Sequence, residues 1–148
     1  MPDEQTPAID AEQYAALVAE ASDEDLKRGL AENRELVLGE IFRRMPERFA
    51  PDKAGDLEAV IEWRIGGRPG GAYDRWQLTI RDGDCTVTPG GDAEPTVSFM
   101  VGAVDFLKLV TGNANGPMLF TFGKLKVRGD LMLAARIQAF FEVPKSPE

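Results

Sequence analysis

Apolar residues recur every three to four positions up to about Met45, every second position from Leu57 to Val101, and every three to four again from Ala103. A period near 3.6 marks a helix with one buried face and a period of 2 marks a strand. The chain therefore reads as helices, then strands, then helices. Asp10 followed by Gln13 has the form of a capping pair, and Tyr14, Leu17, Val18 and Ala21 behind it predict a short amphipathic helix. Ser22 with Asp25 three residues on is a second N-cap signal, with acids filling the first turn, and Leu26 and Leu30 form its thin apolar stripe. A third helix is predicted from about Asn33, where Val37, Leu38, Ile41, Phe42 and Met45 share one wide face. Pro46 ends it, because the residue before a proline avoids helical backbone. Beyond Phe49, "APDKAG" reads as a loop.

In "DLEAVIEWRI" the residues Leu57, Ala59, Ile61, Trp63 and Ile65 share one face, with Glu58, Glu62 and Arg64 opposite, as in a half-buried strand. A second strand follows the turn "GGRPGGAYD" and points Trp76, Leu78 and Ile80 inward. "RDGD" is an Asp-Gly turn suited to a hairpin, leading to a third strand in which Cys85 and Val87 alternate with Thr86 and Thr88. "PGGDAEP" closes that strand, and Val97, Phe99 and Val101 face inward from a fourth. Three strands joined by turns this short predict an antiparallel meander.

Val104, Leu107 and Val110 then give a helical stripe widened by Phe106 and Leu109 and stopped at Gly112. Pro117 suits a first helical turn, but "MLFTF" allows only one or two turns before Gly123. "KLKVRG" alternates again, with Leu125 and Val127 inside and Lys124, Lys126 and Arg128 outside. Asp130 is placed to cap a last helix from Leu131 to about Phe141, and Pro144 ends the ordered part. This third of the chain is richer in apolar side chains than one sheet requires. Leu133, Ile137 and Phe140 can serve the sheet, which leaves Met132, Ala135 and Phe141 without an obvious partner. Met118, Leu119, Phe120 and Phe122 form a second apolar cluster just upstream. Such surfaces call for a second layer, a partner chain or an apolar ligand. The amino-terminal helices are the competing cover.

Composition narrows the chemistry. A chain of 148 residues suffices for one domain burying roughly 70% of its extended-chain surface. Its net charge of −8 falls wholly within residues 1–60, since residues 61–148 balance. An acidic surface repels nucleic-acid phosphates, so no nucleic-acid partner is expected. Histidine is absent and Cys85 is the only cysteine, which removes the commonest general base, every zinc site of usual spacing and any internal disulfide. No apolar run reaches the roughly 20 residues of a membrane span, and "MPDEQTPAID" lacks the form of a secretory signal. The expectation is a cytoplasmic protein without catalysis, cofactor or metal.

Four short motifs yield to plainer explanations. Gly123-Lys124 invites a phosphate-loop reading, but the first glycine of that motif would fall at Met118 and its hydroxyl at Leu125. Arg128-Gly129-Asp130 lies where a strand turns into a helix, so Gly129 relaxes the turn and Asp130 caps the helix. "GGRPGG" lacks the strand-then-helix setting of a dinucleotide loop. Asp82 and Asp84 flank Gly83 without the further oxygen ligands of a calcium loop.

The ordered series from "GDLEAVIEWRIGG" through "YDRWQLTIRDGDCTVTPGGDAEPTVSFMVGAVDFLKLVTG" to "GKLKVRGD" and a final apolar helix resembles the sterol carrier protein type 2 domain family, from about Asn33 to Phe141. The likeness is to a bacterial, actinobacterial-like single-domain member. It implies an α+β fold, a five-stranded mostly antiparallel sheet covered by helices around an apolar cavity. It also implies non-catalytic binding or transfer of a sterol, fatty acid or fatty acyl-CoA-like ligand. On this reading residues 1–8 are a disordered lead, 9–32 an acidic helical extension, 33–143 the lipid-binding domain and 144–148 a tail. The chain departs from better-known members in being acidic and in ending "VPKSPE" rather than in a peroxisomal address.

The candidate pocket walls are Trp63, Phe99, Phe106, Val110, Met118, Phe122, Ile137 and Phe141, with Lys124, Lys126 and Arg128 as a headgroup rim. The rival is a protein-interaction or dimerisation module that buries the same residues against a second copy or a partner enzyme, with no physiological lipid.

Overall fold

Alternation in five stretches builds one sheet: β1 (Ala59–Gly66), β2 (Asp74–Arg81), β3 (Asp84–Pro89), β4 (Val97–Gly102) and β5 (Leu125–Gly129), in the order β3-β2-β1-β4-β5. The computed structural model describes residues 11–140. β1, β2 and β3 form the antiparallel meander, and Asp82 and Gly83 both take positive φ in the hairpin turn that the Asp-Gly sequence calls for. β4 does not extend the meander from β3. It crosses to the far side of β1 and pairs with it in parallel, placing Trp63 opposite Phe99, and β5 closes the sheet antiparallel to β4.

That register puts every inward residue on one face. Ile61, Trp63, Ile65, Leu78, Ile80, Val97, Phe99, Val101 and Leu125 are buried there. The other face carries Arg64, Thr79, Ser98 and Lys126. Two of its polar residues, Glu62 and Gln77, are nevertheless only 2% exposed. The segment after β3 folds across them: Gln77 donates to Glu62 at 2.8 Å and to the Ala93 carbonyl at 2.9 Å, and accepts from the Ala93 amide at 3.2 Å. Arg64 donates to the other Glu62 oxygen at 2.6 Å. Each buried polar group thus has its partner, as burial demands.

The helices are α1 (Ala11–Glu20), α2 (Asp23–Arg44), α3 (Pro51–Ala54), α4 (Ala103–Val110), α5 (Gly116–Thr121) and α6 (Leu131–Phe140). Ser22 caps α2, its hydroxyl accepting from the Asp25 amide at 3.1 Å. The second and third helices expected from the sequence are one element with a kink at Asn33 (φ −133°, ψ 31°), after which Arg34 turns to the sheet. α2 ends at Arg44, just before Pro46 as expected, and a tight helical turn at Met45–Arg48 follows it. The expected loop "APDKAG" contains the single-turn helix α3, with Pro51 in its first turn. In α4 the fully buried residues are Ala103, Phe106 and Leu107, so the buried stripe is centred on Phe106 rather than on Val104 and Val110, which are half-buried. Asp130 caps α6, accepting from the Leu133 amide at 3.0 Å. The Asp10–Gln13 capping pair lies partly outside the described residues.

Candidate functional site

The core face of the sheet is covered in two different ways. Over β1 and β2 the cover is α2 and α4, and the contact is a chain of aromatic rings. Trp76 stacks on Phe42 with ring centroids 4.7 Å apart, and Phe42 stacks on Phe106 at 5.1 Å. Phe106 lies against Trp63 at 5.1 Å, and Trp63 stacks on Phe99 at 4.7 Å. Rings at such distances are in contact, so Trp63, Phe99 and Phe106 pack on one another from β1 to β4. Phe42 and Trp76 complete the string. The periodicity marked both as inward, but nothing in it marked them as neighbours.

Over β4 and β5 the cover is thinner. Leu133 and Ile137 of α6 are buried against these strands, and Val127 of β5 is half-buried. Leu119 is the only large apolar side chain of α5 that is buried. Met118, Phe120 and Phe122 are 56%, 54% and 67% exposed. Asn115 fixes the start of α5 by accepting from the Met118 amide at 3.0 Å. At its other end the Lys124 amide donates to the Leu119 carbonyl at 2.8 Å, folding the chain back into β5. The amino-terminal helices pack on α4, and among the described residues they leave Met118, Phe120 and Phe122 uncovered.

The candidate residues therefore fall into three groups. Trp63, Phe99, Phe106 and Ile137 are buried, and Val110 is half-buried beside them. Met118 and Phe122 stand in solvent on α5 and just beyond it, and Phe141 lies outside the described residues. Among the three cations, Lys124 occupies the α5–β5 connection. Lys126 and Arg128 project from the outer face of the sheet, opposite Met100 and Ser98, while Val127 between them faces Phe99.

The core-face layer holds little reactive chemistry. No described buried side-chain nitrogen or oxygen lacks a hydrogen-bond partner, and no described group of three acidic, Cys or His residues is placed to hold a metal. Thr111, buried at the end of α4, donates to the Leu107 carbonyl at 2.7 Å. Burial pushes the Cys85 thiol up to about 11, so it is not a thiolate near neutral pH. A surface hollow of about 510 Å³ does exist, but Asp56, Glu58 and Asp82 line it with Gly55 and Gly83. Its carboxylates suit no apolar ligand, and it lies away from the aromatic string.

Helices thus cover one face of a five-stranded sheet through a continuous apolar layer. The model of the SCP-2 sterol transfer family matches residues 38–142, and the chain belongs to that family. Its match begins in the second half of α2, after the kink. The chain is 28% identical over 103 residues to human "Sterol carrier protein 2", covering 70% of this chain and 19% of that protein. It is 34% identical over 108 residues to the "Oleate-induced peroxisomal protein POX18" of Candida maltosa, covering 69% of this chain and 84% of that one. The solution structure of palmitated SCP2L2 from Aedes aegypti matches with a TM-score of 0.56 at 20% identity, over 75% of this chain and 96% of that one. At that identity the likeness establishes the fold. No described helix is long and apolar enough to cross a membrane.

Proposed function

We propose that this protein is a non-catalytic lipid-binding and lipid-transfer domain whose ligand is a single acyl chain or sterol-like molecule. The observation that carries this reading is the contrast within one apolar layer. Over β1 and β2 the aromatic string fills the space, whereas over β4 and β5 the short α5 keeps Met118, Phe120 and Phe122 in solvent. A ligand entering between α5 and α6 would meet Phe99, Val110, Ile137, Met118 and Phe122, with Trp63 and Phe106 as the back wall. Lys124, in the α5–β5 connection, is the cation positioned for an acidic headgroup. The palmitate of the Aedes aegypti relative supports an acyl chain as the ligand class. The domain proper begins near the Asn33 kink, and the preceding acidic helices are an extension to it. A cytoplasmic setting accompanies this reading.

The driving force is burial of methylenes. At about 0.8 kcal/mol each, a chain of about twelve carbons gains roughly 10 kcal/mol gross. Lost ligand freedom offsets a large part, which leaves affinities in the micromolar to nanomolar range. The test is titration with a fluorescent fatty acid, following quenching of Trp63 and Trp76, alongside native mass spectrometry of the purified protein. A monomer carrying one lipid is the expected result. A tight, empty dimer that leaves the probe unquenched would overturn the reading in favour of an interaction module.

A further inference from the structure

The amino-terminal extension is acidic, and one of its carboxylates reaches the domain. Residues 11–32 carry six acids and two bases, and they precede the segment that the family model matches. Val18 of α1 and Leu30 of α2 are buried in the core, and α1 contacts α4. From Phe106 to Gly129, by contrast, the chain has no acidic residue and four cations, Lys108, Lys124, Lys126 and Arg128. Among the described residues a single ion pair reaches that segment: Lys108 of α4 donates to the Asp23 carboxylate at the start of α2. This hydrogen bond holds the Asp23 carboxyl below its ordinary value of 3.8, and the charge of Lys124 in the α5–β5 connection adds to the effect.

Acids in a first helical turn are ordinary, because they complement the helix N-terminus. That accounts for Glu24, and for Asp25, which pairs with Arg28 in its own helix. It does not account for Asp23, which bonds to a different element 85 residues away along the chain. Lys124 is the cation assigned above to an acidic headgroup, and Val110, two residues beyond Lys108, belongs to the wall of the same site. A ligand carboxylate arriving there meets the carboxylate of Asp23. Like charges sharing one pair of cations repel, so an ionised headgroup has to displace Asp23, whereas a neutral one meets no such opposition. Displacement is within reach, because the Asp23 side chain is 75% exposed and an exposed ion pair holds weakly. The kink at Asn33 is the joint where the extension parts from the domain.

We infer that Asp23 is a specificity-determining residue, an internal counter-ion that the extension places against Lys108 and near Lys124, and that it disfavours ionised headgroups relative to neutral ones on the same apolar chain. An acidic ligand that binds displaces it and loosens the extension from α4. This selection rests on the lipid-binding reading but concerns the headgroup alone, so the two fail separately.

The test is titration of the whole chain near neutral pH with sodium laurate and with 1-dodecanol, which share one alkyl chain and differ in headgroup, followed by tryptophan fluorescence. Asp23→Asn raises the affinity for laurate roughly two- to fivefold and leaves that for dodecanol unchanged. Lys108→Gln added to that variant removes most of the gain, and Asp25→Asn in the same turn changes neither affinity. In the wild type, laurate speeds hydrogen exchange in α1 and in the part of α2 before Asn33, and dodecanol does not. Urea midpoints report that each variant is folded. An unchanged ratio of affinities in Asp23→Asn, an equal gain for both ligands, or exchange that laurate leaves unaltered overturns the inference and leaves lipid binding standing. Binding of neither ligand overturns lipid binding itself, and the selection with it.

Discussion

Arg34 donates from Nε to Asp74 at 2.7 Å immediately after the kink in α2, and its Nη2 donates to the Ile65 and Gly66 carbonyls at 2.7 and 2.8 Å. One guanidinium therefore joins the helix to the end of β1 and the start of β2. Arg68 donates to the second Asp74 oxygen at 2.9 Å. Burial opposes ionisation of Asp74, but hydrogen bonds from Arg68 and Arg34 outweigh it and hold the carboxyl below its ordinary value of 3.8.

Because that pKa is depressed in the folded state, the stability it contributes is fully present above about pH 4 and is lost as pH falls through the folded value. Arg34 is 12% exposed on its side chain and Asp74 24%, so screening is incomplete. Asp74→Asn should cost about 2 kcal/mol near neutral pH. The gap between the urea midpoints of wild type and variant should narrow as pH falls below about 4, as the wild-type carboxyl itself becomes neutral. A gap that stays constant over that range would show that the ion pair is not its source.

The second prediction separates core from surface among residues whose sequence signals look alike. Phe106 is fully buried and touches both Phe42 and Trp63. Its replacement by Ala leaves a void between α4 and the sheet and should cost about 3–5 kcal/mol. Phe122→Ala removes a ring that is 67% exposed and should change stability by less than about 0.5 kcal/mol. Urea unfolding followed by tryptophan fluorescence measures both. Equal losses would mean that Phe122 is covered in solution.

Local signals carried most of the fold. The switch of period located all five strands, and Ser22 and Asp130 marked two helix starts through bonds to amides three residues away. Where a feature depended on distant residues, the sequence was silent. The parallel pairing of Trp63 with Phe99 joins residues on strands separated by the whole β2–β3 hairpin, and no local pattern encodes that choice. Glu62 read as outward, yet the segment around Ala93, bonded to Gln77, buries both Glu62 and Gln77. Asn33 looked like a helix start because the kink interrupts the apolar stripe without ending the backbone ladder. The site was harder still. Phe106 and Phe122 are both aromatic at helical spacing, and only packing tells a filled core from an exposed edge.

The Arg128-Gly129-Asp130 tripeptide supplies the last prediction. Gly129 has φ +98°, and a Cβ there would lie 2.5 Å from the Thr96 carbonyl oxygen and 3.1 Å from the Val97 Cα. Neither neighbour can move aside, because the Asp130 amide donates to that same carbonyl at 3.0 Å and Val97 pairs with Gly129 across β4 and β5. Gly123 has a similar φ of +77° but open space around it. Gly123→Ala should therefore cost only the backbone term, about 1–2 kcal/mol. Gly129→Ala adds a clash with fixed backbone and should cost clearly more, while Asp130→Ala, which removes only the cap on α6, costs about 1 kcal/mol. Hydrogen exchange locates the damage: Gly129→Ala should expose the β4–β5 amides, and Asp130→Ala only the first turn of α6. If Gly129→Ala proved as mild as Gly123→Ala, the close approach of β5 to Thr96 would not exist in solution.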